Sequence, residues 1–300
     1  MQTESKKAKR LKADFLLLVT TFFWGVTFVI VKEAVRSSGV FVFLSQRFIA
    51  AALILVCICL VMRRPFSPRL LLQGGVMGLF LFGGYAFQTV ALLFTTASNT
   101  AFLTGLNVVL VPLLGAFFYG HLVTRNMIMG VALAAAGLYL LCTSGGWLVN
   151  KGDLLAAICA VCVALHVIYT WKYARSGDVY WLTAIQLGTV ALLSSLMALF
   201  LGDRIFVWIP DILPALVICV LFATVFAFLV QTAMQRLTSP TRTALIFCME
   251  PVFAALFAYV TLGERFGVRG MIGALLILAG MVLSEIPSAE ATSGKAQRKL

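Results

Sequence analysis

The residues of this chain most able to do chemistry are the few ionisable side chains that interrupt long apolar segments. Glu250 is the only acidic residue well inside such a segment. A charge at the centre of a membrane-spanning helix costs about 3 kcal/mol on insertion scales, so such residues usually face a cavity. Three interpretations of Glu250 stay open: it binds a proton, another cation or an amine of a ligand; it pairs with Arg47; or it is a neutral carboxyl group beside backbone freed at Pro251.

Arg47 is the one basic residue that falls inside an apolar segment. It lies roughly 10 Å from the end of that segment, at a rise of 1.5 Å per helical residue. We expect the guanidinium to face a cavity, where it holds a carboxylate of a ligand or pairs with Glu250. The alternative is that its long stem reaches back to the surface.

A histidine and several aromatic residues are weaker candidates. His166 lies in the middle of its segment and could relay protons, although a single histidine is more often a hydrogen-bonded residue of a helix bundle. Trp24, Tyr85 and Tyr169 could stack on a ligand or could simply pack between helices.

The composition requires a membrane environment for these residues. Of 300 residues, 62% are hydrophobic and 11% are charged, against about 25% charged in an ordinary soluble domain. The basic residues behind the net charge of +12 lie in gaps between apolar segments, which indicates membrane topology rather than nucleic-acid binding. The seven cysteines, with Cys159 and Cys162 in CxxC spacing, are read as small buried hydrophobic residues, and no metal or cofactor is expected.

Ten segments are apolar and long enough for a spanning helix, which needs about 20 residues: 14–32, 41–62, 70–93, 98–119, 126–142, 153–173, 181–201, 211–235, 243–262 and 268–286. They are continuous rather than alternating, which excludes a β-barrel. We therefore predict an all-α polytopic membrane protein with ten transmembrane helices. With both termini in the cytoplasm, 16 of the 23 Lys and Arg residues lie inside and six outside, as the positive-inside rule requires. The basic tails 1–13 and 287–300 are then cytoplasmic.

The chain repeats itself when it is shifted by 143 residues. Residues 88–140 and 231–283 share 13 identities in 53 positions, including matched Gln, Thr and Gly residues. Each half holds five helices, and because five is odd the second half enters the membrane in the opposite orientation. This predicts two inverted repeats, 14–145 and 150–286, which is an architecture of alternating-access carriers.

Polar residues occupy matched positions in the two halves. A shift of 143 residues pairs Asn107 with Glu250 and Gln88 with Gln231, and a shift of 139 pairs Gln186 with Arg47 and Asp14 with Asp153. In an inverted repeat, matched positions fall at mirrored depths around one axis. We expect the first three pairs to line one central cavity; the alternative is a set of hydrogen bonds between helices, worth about 0.6–2 kcal/mol each.

Proline and glycine residues predict where the helices bend and touch. Pro112 and Pro251 fall inside segments, where each should kink its helix and could serve either as a gating hinge or as a static bend. Three groups of small residues read as helix contacts, or as a dimer surface on the fifth and tenth helices: Gly74/Gly78, Gly130/Ala134/Gly137 and Gly273/Gly280.

The chain resembles the drug/metabolite transporter superfamily, in its EamA branch. The resemblance rests on Trp24-Gly25, Arg47-Phe48, 95–98 with 101–106, 111–113, Glu250-Pro251 and 262–265, and it covers about residues 14–285. It implies a ten-helix carrier of the inner membrane that often exports amino acids or related compounds through a cavity lined by helices 1–4 and 6–9. The Gly-Glu-Arg signature occurs once, because the first-half counterpart of Glu264 is His121, and we interpret that loop as structural.

We therefore predict a secondary transporter, not an enzyme, that moves small metabolites such as amino acids or amines across the bacterial inner membrane by alternating access, and we expect export. A proton or another cation is the expected coupling ion, and the assembly is a monomer or a homodimer through the fifth and tenth helices. The alternatives are a membrane enzyme or flippase acting on a lipid-linked substrate, and a channel. The sequence has no ATP-binding GxxxxGK[ST] motif.

Overall fold

The computed structural model of the chain describes residues 2–95, 97–119, 124–142, 150–262 and 267–285, and these ranges contain no β-strand. The first half holds six α-helices: α1 Gln2–Ser38, α2 Val40–Val61, α3 Arg69–Ala91, α4 Ala97–Gly105, α5 Asn107–Tyr119 and α6 Arg125–Cys142. The second half begins with α7 Lys151–Ala174 and α8 Val179–Phe200. After a 3-10 turn at Pro210–Ile212 come α9 Leu213–Val220, a π-helical turn at Leu221–Phe226, α10 Ala227–Gln235, α11 Pro240–Phe247, α12 Glu250–Leu262 and α13 Val268–Glu285.

Six of these helical stretches are long and apolar enough to cross a membrane by length and composition. They are Ala8–Ser38, Val40–Val61, Arg69–Ala91, Lys151–Ala174, Val179–Phe200 and Pro210–Gln235. Three shorter apolar helices accompany them: Leu103–Phe118, Arg125–Leu140 and Val268–Gly280. The all-helical class and the multi-pass membrane environment expected from the sequence are therefore confirmed.

The helices differ from the predicted segments in two ways. The predicted tail 1–13 is helical from Gln2 onward and forms the first part of α1. Three predicted segments are interrupted: 98–119 at Leu106, 243–262 at Cys248 and Met249, and 211–235 at the π-turn. The predicted tail 287–300, together with His121 and Glu264, lies outside the described residues.

The main packing contacts join the first half of the chain to the second. α6 packs along α13, α2 along α8, and α3 between α7 and α8. α1 packs against α10 and α12, while α4 and α5 pack against α7. The buried core therefore lies between the halves, and so does the space that any central site must occupy.

Glycines bring several of these helices into backbone contact. A Cβ added at Gly137 would lie 2.6 Å from the Gly273 carbonyl oxygen, and one at Gly280 would lie 2.5 Å from the Gly130 carbonyl oxygen. A Cβ at Gly78 would lie 2.7 Å from the Gln186 carbonyl oxygen. The glycines of α6 and α13 thus face one another within the chain, so a dimer through these helices would have to use their other faces.

The α6–α13 contact gives a stability test with a built-in control. We expect Gly137→Ala to destabilise the protein by about 1–3 kcal/mol, because the methyl group forces two backbones apart. Gly188→Ala should be neutral or stabilising, since a Cβ there meets nothing within 4 Å and alanine favours the helix. Thermal unfolding in detergent measures both; equal effects of the two substitutions would mean that the close approach does not exist.

Two ion pairs tie the halves together at their ends. Arg242 in α11 pairs with Asp14 in α1: its Nε donates to Oδ1 over 2.8 Å and its Nη2 donates to Oδ2. Arg64, just after α2, donates from Nε and Nη2 to Oδ2 of Asp178 over 3.0 and 2.5 Å, and this bonding raises the pKa of Arg64. Asp178 also accepts from two backbone amides at the start of α8, so one carboxylate holds both the arginine and the helix.

Candidate functional site

A cavity lies between the two halves, with about 850 Å³ of space free of protein atoms, including the part open to solvent. Its polar wall is formed mainly by Arg47, Gln88, Asn107, His166, Gln231 and Glu250. Its aromatic wall is formed by Trp24, Phe28, Phe80, Tyr85, Phe228 and Phe247. Eight of the predicted site residues thus meet around one space, whereas Gln186, Pro112 and Pro251 are not among the residues that line it.

Arg47 is held from one side and free on the other. Its side chain is buried (2% exposed). The Nε donates to Thr224 Oγ1 over 2.7 Å, and Nη2 donates to the Tyr85 hydroxyl and to the Ala223 carbonyl over 3.2 and 3.3 Å. An arginine has five N–H donors, and the two on Nη1 have no protein partner among the described residues. Arg47 therefore presents a positive charge and two donors to the cavity.

Two aromatic side chains complete the surroundings of Arg47. The guanidinium carbon lies 5.0 Å from the ring centre of Tyr85, which adds a cation–π contact. The Trp24 indole Nε1 donates to the same Ala223 carbonyl over 2.9 Å, and its ring lies 5.1 Å from Phe247 and 5.3 Å from Phe228. Trp24 and Tyr85 are thus both packing residues and cavity walls. Tyr169 is elsewhere: it stacks on Phe80, with ring centres 5.3 Å apart.

Glu250 and Asn107 both begin the second part of an interrupted helix. The α4–α5 break is a tight turn in which Leu106 N donates to Leu103 O, and the α11–α12 break is one in which Met249 N donates to Ile246 O. These two turns are equivalent under the shift of 143 residues. Asn107 and Glu250 each follow the break directly and each line the cavity, so the interruptions expose both side chains to the same space.

The Glu250 carboxyl group makes no hydrogen bond or ion pair with any described residue, and in particular it does not pair with Arg47. Among the described residues it is the one acidic side chain of the cavity wall, and Arg47 is the one arginine or lysine side chain. The cavity lining therefore contains one carboxyl group and one guanidinium group, with aromatic rings alongside, and the two groups do not bond to each other.

The two prolines have different relations to these breaks. Pro251 directly follows Glu250 and cannot donate a helical hydrogen bond toward Phe247, so it reinforces the α11–α12 interruption. Pro112 lies inside α5, which continues to Tyr119, and the break at Leu106 precedes it. The interruption of the first half therefore does not fall at its proline.

His166 is held by a chain of polar side chains that runs away from the cavity. Its Nε2 lies 2.8 Å from Gln186 Oε1 and 3.3 Å from Thr170 Oγ1. Gln186 is fully buried and donates in turn to Thr232 Oγ1 over 3.1 Å. The structure thus places Gln186 behind His166 as a hydrogen-bonding support, while His166 itself lines the cavity.

Two buried amide oxygens of cavity-lining residues have no hydrogen-bond partner among the described residues: Asn107 Oδ1 and Gln231 Oε1. Asn107 donates from Nδ2 to the Thr104 carbonyl over 2.9 Å, which orients its oxygen away from that carbonyl. An unsatisfied buried acceptor costs about 1–3 kcal/mol. Asn107, Gln231 and Glu250 thus contribute polar side chains to the cavity lining, while the two amide oxygens themselves are buried.

Sequence reasoning missed the elements that hold Arg47. Thr224 and Ala223 lie in the π-turn, within the apolar stretch LFATVF at 221–226, and neither residue is unusual there. The available signal was indirect: a buried arginine needs several acceptors, and Thr224 is the only hydroxyl residue of that stretch.

A multi-pass helical bundle with polar side chains gathered in a cavity between two halves is typical of membrane transporters. The sequence pattern of the EamA-like transporter family matches residues 11–143 and again residues 150–285. The chain belongs to this family, as the resemblance in its motifs indicated.

The similar proteins are named as transporters. An uncharacterized transporter of Archaeoglobus fulgidus is 32% identical over 94% of this chain and 88% of its own length. A probable amino-acid metabolite efflux pump of Salmonella typhimurium is 27% identical over 91% and 94%. A protein of known crystal structure has the same fold, with a TM-score of 0.75 at 20% identity over 91% of this chain and 96% of the other. The chain is thus a transporter and not an enzyme, and the enzyme or flippase alternative is unsupported.

Proposed function

We propose that this chain is a secondary transporter that exports small metabolites, with amino acids and related amines as the substrate class. The observation that carries the proposal is that Arg47 and Glu250 line one cavity without bonding to each other. A zwitterion matches them: its carboxylate accepts from Arg47 Nη1, and its ammonium group donates to Glu250. The aromatic walls accommodate an apolar body, and the name of the Salmonella relative, an amino-acid metabolite efflux pump, supports the same class.

We propose further that the chain consists of ten spans in two inverted repeats, 14–145 and 150–286. The family pattern matches twice, once in each half. The contacts between halves also exchange under the repeat: α3 with α7 corresponds to α1 with α10, and α4 with α7 corresponds to α1 with α11. The equivalent breaks before Asn107 and Glu250 add a third line of support.

In this proposal the protein lies in a bacterial inner membrane with both termini in the cytoplasm, as the Lys and Arg distribution favours. It is a monomer, or a homodimer that meets through the outer faces of α6 and α13. A proton or another cation drives transport through Glu250.

Alternating access needs a closure at each end of the cavity, and the two matched aspartates are suited to this role. Asp14 bonds to Arg242 across the halves, and its counterpart Asp153 accepts from Thr95 Oγ1 over 2.8 Å, also across the halves. The first tie is an ion pair and the second is a hydroxyl–carboxylate bond. The ion pair is the stronger of the two, so it favours closure at the end where α1 and α11 begin.

This closure predicts the behaviour of Asp14→Asn. We expect the substitution to open that end, so that a cysteine introduced at Leu18, one turn further in, reacts with an impermeant maleimide roughly ten times faster or more. Glu33→Asn is the control, because its pair with Arg36 is exposed and lies within α1. An unchanged labelling rate in Asp14→Asn would show that the Asp14–Arg242 pair does not close the cavity at that end.

The function itself is tested by counterflow in proteoliposomes. Vesicles preloaded with one unlabelled amino acid or amine should accumulate the labelled form transiently and saturably if the protein is a carrier. An ionic conductance without saturation would indicate a channel, and the absence of counterflow across a panel of amino acids and amines would reject the substrate class.

A further inference from the structure

Within the described part of the chain, the π-turn Leu221–Phe226 interrupts a long helix, and the proposed function gives this interruption no role. A π-turn holds one residue more than an α-helical turn. One extra residue changes the phase of the following helix by about 100°, since an α-helix has 3.6 residues per turn. The turn therefore sets how Phe228 and Gln231, in the next turns, face the cavity.

The turn supplies two acceptors to Arg47. The Thr224 hydroxyl donates to the carbonyl of Cys219, five residues earlier, over 2.7 Å, and accepts from Arg47 Nε over 2.7 Å. In an α-helix a threonine hydroxyl bonds three or four residues back, so this five-residue reach belongs to the π geometry. The neighbouring Ala223 carbonyl accepts from both Arg47 and Trp24.

These bonds fix which edge of the guanidinium is left for a ligand. The Nε edge faces the turn, and the third protein contact, from Nη2, goes to Tyr85. A guanidinium is planar, so fixing Nε and Nη2 also fixes the direction of the two N–H bonds on Nη1. Arg47 is thereby preorganised rather than free to rotate within the cavity.

The equivalent contact under the repeat offers an internal comparison. The counterpart of Arg47 is Gln186, and α3, which corresponds to the π-turn region, is described as an uninterrupted α-helix. The arginine of the first half therefore meets the π-turn of the second half, whereas α8, which carries the glutamine in the second half, packs against the uninterrupted α3 of the first half.

We propose that Thr224 is a positioning residue for the substrate carboxylate: through its bond to Nε, the π-turn aims Arg47 Nη1 at the anionic end of the substrate. The inference rests on the proposed function, because it requires Arg47 to bind that end. A turn that only satisfied a buried charge would stabilise the protein without affecting which substrates bind.

The test compares Thr224→Val and Thr224→Ser in counterflow of an amino acid and of the matching amine without a carboxylate. Valine removes the hydroxyl at nearly constant shape, and we expect a KM for the amino acid about tenfold higher, with little change in maximal rate and no change for the amine. Serine restores the hydroxyl and should restore the KM. Thr183→Val is the control, because that hydroxyl is also fully buried but bonds only to Val179 O in its own helix.

The outcomes separate the inference from the proposed function. If Arg47→Gln impairs amino-acid transport and Thr224→Val does not, Thr224 has no positioning role although the proposed site stands. If Arg47→Gln leaves the amino acid unaffected, the carboxylate site itself is rejected. An equal loss for amino acid and amine in Thr224→Val, unrepaired by serine, would show that the turn is structural only.

Discussion

Arg47→Gln should lower the efficiency of amino-acid transport by a factor of at least about 30, with the larger share of the loss in KM. Truncating a buried, hydrogen-bonded charged group that meets a ligand costs about 2–5 kcal/mol, and roughly 1.4 kcal/mol corresponds to a factor of ten. Glutamine retains an N–H donor for Thr224 but removes both the charge and the Nη1 edge. Counterflow of a labelled amino acid in proteoliposomes measures the change.

Two comparisons make this result specific. Arg47→Lys keeps the charge but loses the planar fork, so it should be intermediate. Counterflow of the corresponding amine, which has no carboxylate, should be nearly unaffected in Arg47→Gln. If the amine is impaired to the same degree as the amino acid, Arg47 serves the fold and not the ligand.

Glu250→Gln should abolish transport driven by a proton gradient while leaving the protein folded. Glutamine has nearly the same shape, and the carboxyl group bonds to no described residue, so its removal breaks no contact within the described protein. The ionisable side chains on the described cavity wall are Arg47, Tyr85, His166 and Glu250. The Glu250 carboxyl is the candidate for proton coupling because it can release a bound proton when the substrate binds.

The measurement is uptake at imposed pH gradients, alongside exchange at equal pH. We expect gradient-driven uptake to fall to the background of empty vesicles. Exchange of a substrate that lacks an ammonium group should persist. His166→Gln serves as the comparison for a second titratable group on the same wall. Normal gradient-driven uptake in Glu250→Gln would reject the coupling role.

The positions of the helices and of the two ionisable cavity residues could be predicted from the sequence, because the free-energy cost of placing polar groups in lipid determines both. Backbone groups without hydrogen bonds and charges without partners are costly in lipid. Long apolar stretches must therefore be helices, and Arg47 and Glu250 are expected to face a cavity. The matched residues Asn107 and Gln231 followed from the repeat and are found on the same wall.

Other features could not be read from residue types. The break at Leu106 precedes Pro112 by six residues, so the proline does not mark it. The break is defined by a local backbone hydrogen bond from Leu106 N to Leu103 O, and no residue type in the segment 98–119 indicates its position. Gln186 was matched to Arg47 by position alone, and which face of α8 it occupies depends on packing against α7 and α10. The π-turn has an apolar sequence like that of its neighbours, so its register is set by the partners it meets.

The glycine seam between α6 and α13 has a practical consequence for following the motion of this protein. The backbones of α6 and α13 are in contact, so the two helices cannot move closer together. No described residue of either helix lines the cavity. Probes attached at Ile128 and Leu275, whose side chains are exposed on these two helices, would therefore report a constant separation through the transport cycle. This probe pair therefore serves as an internal distance reference, against which distance changes elsewhere in the same molecule can be calibrated.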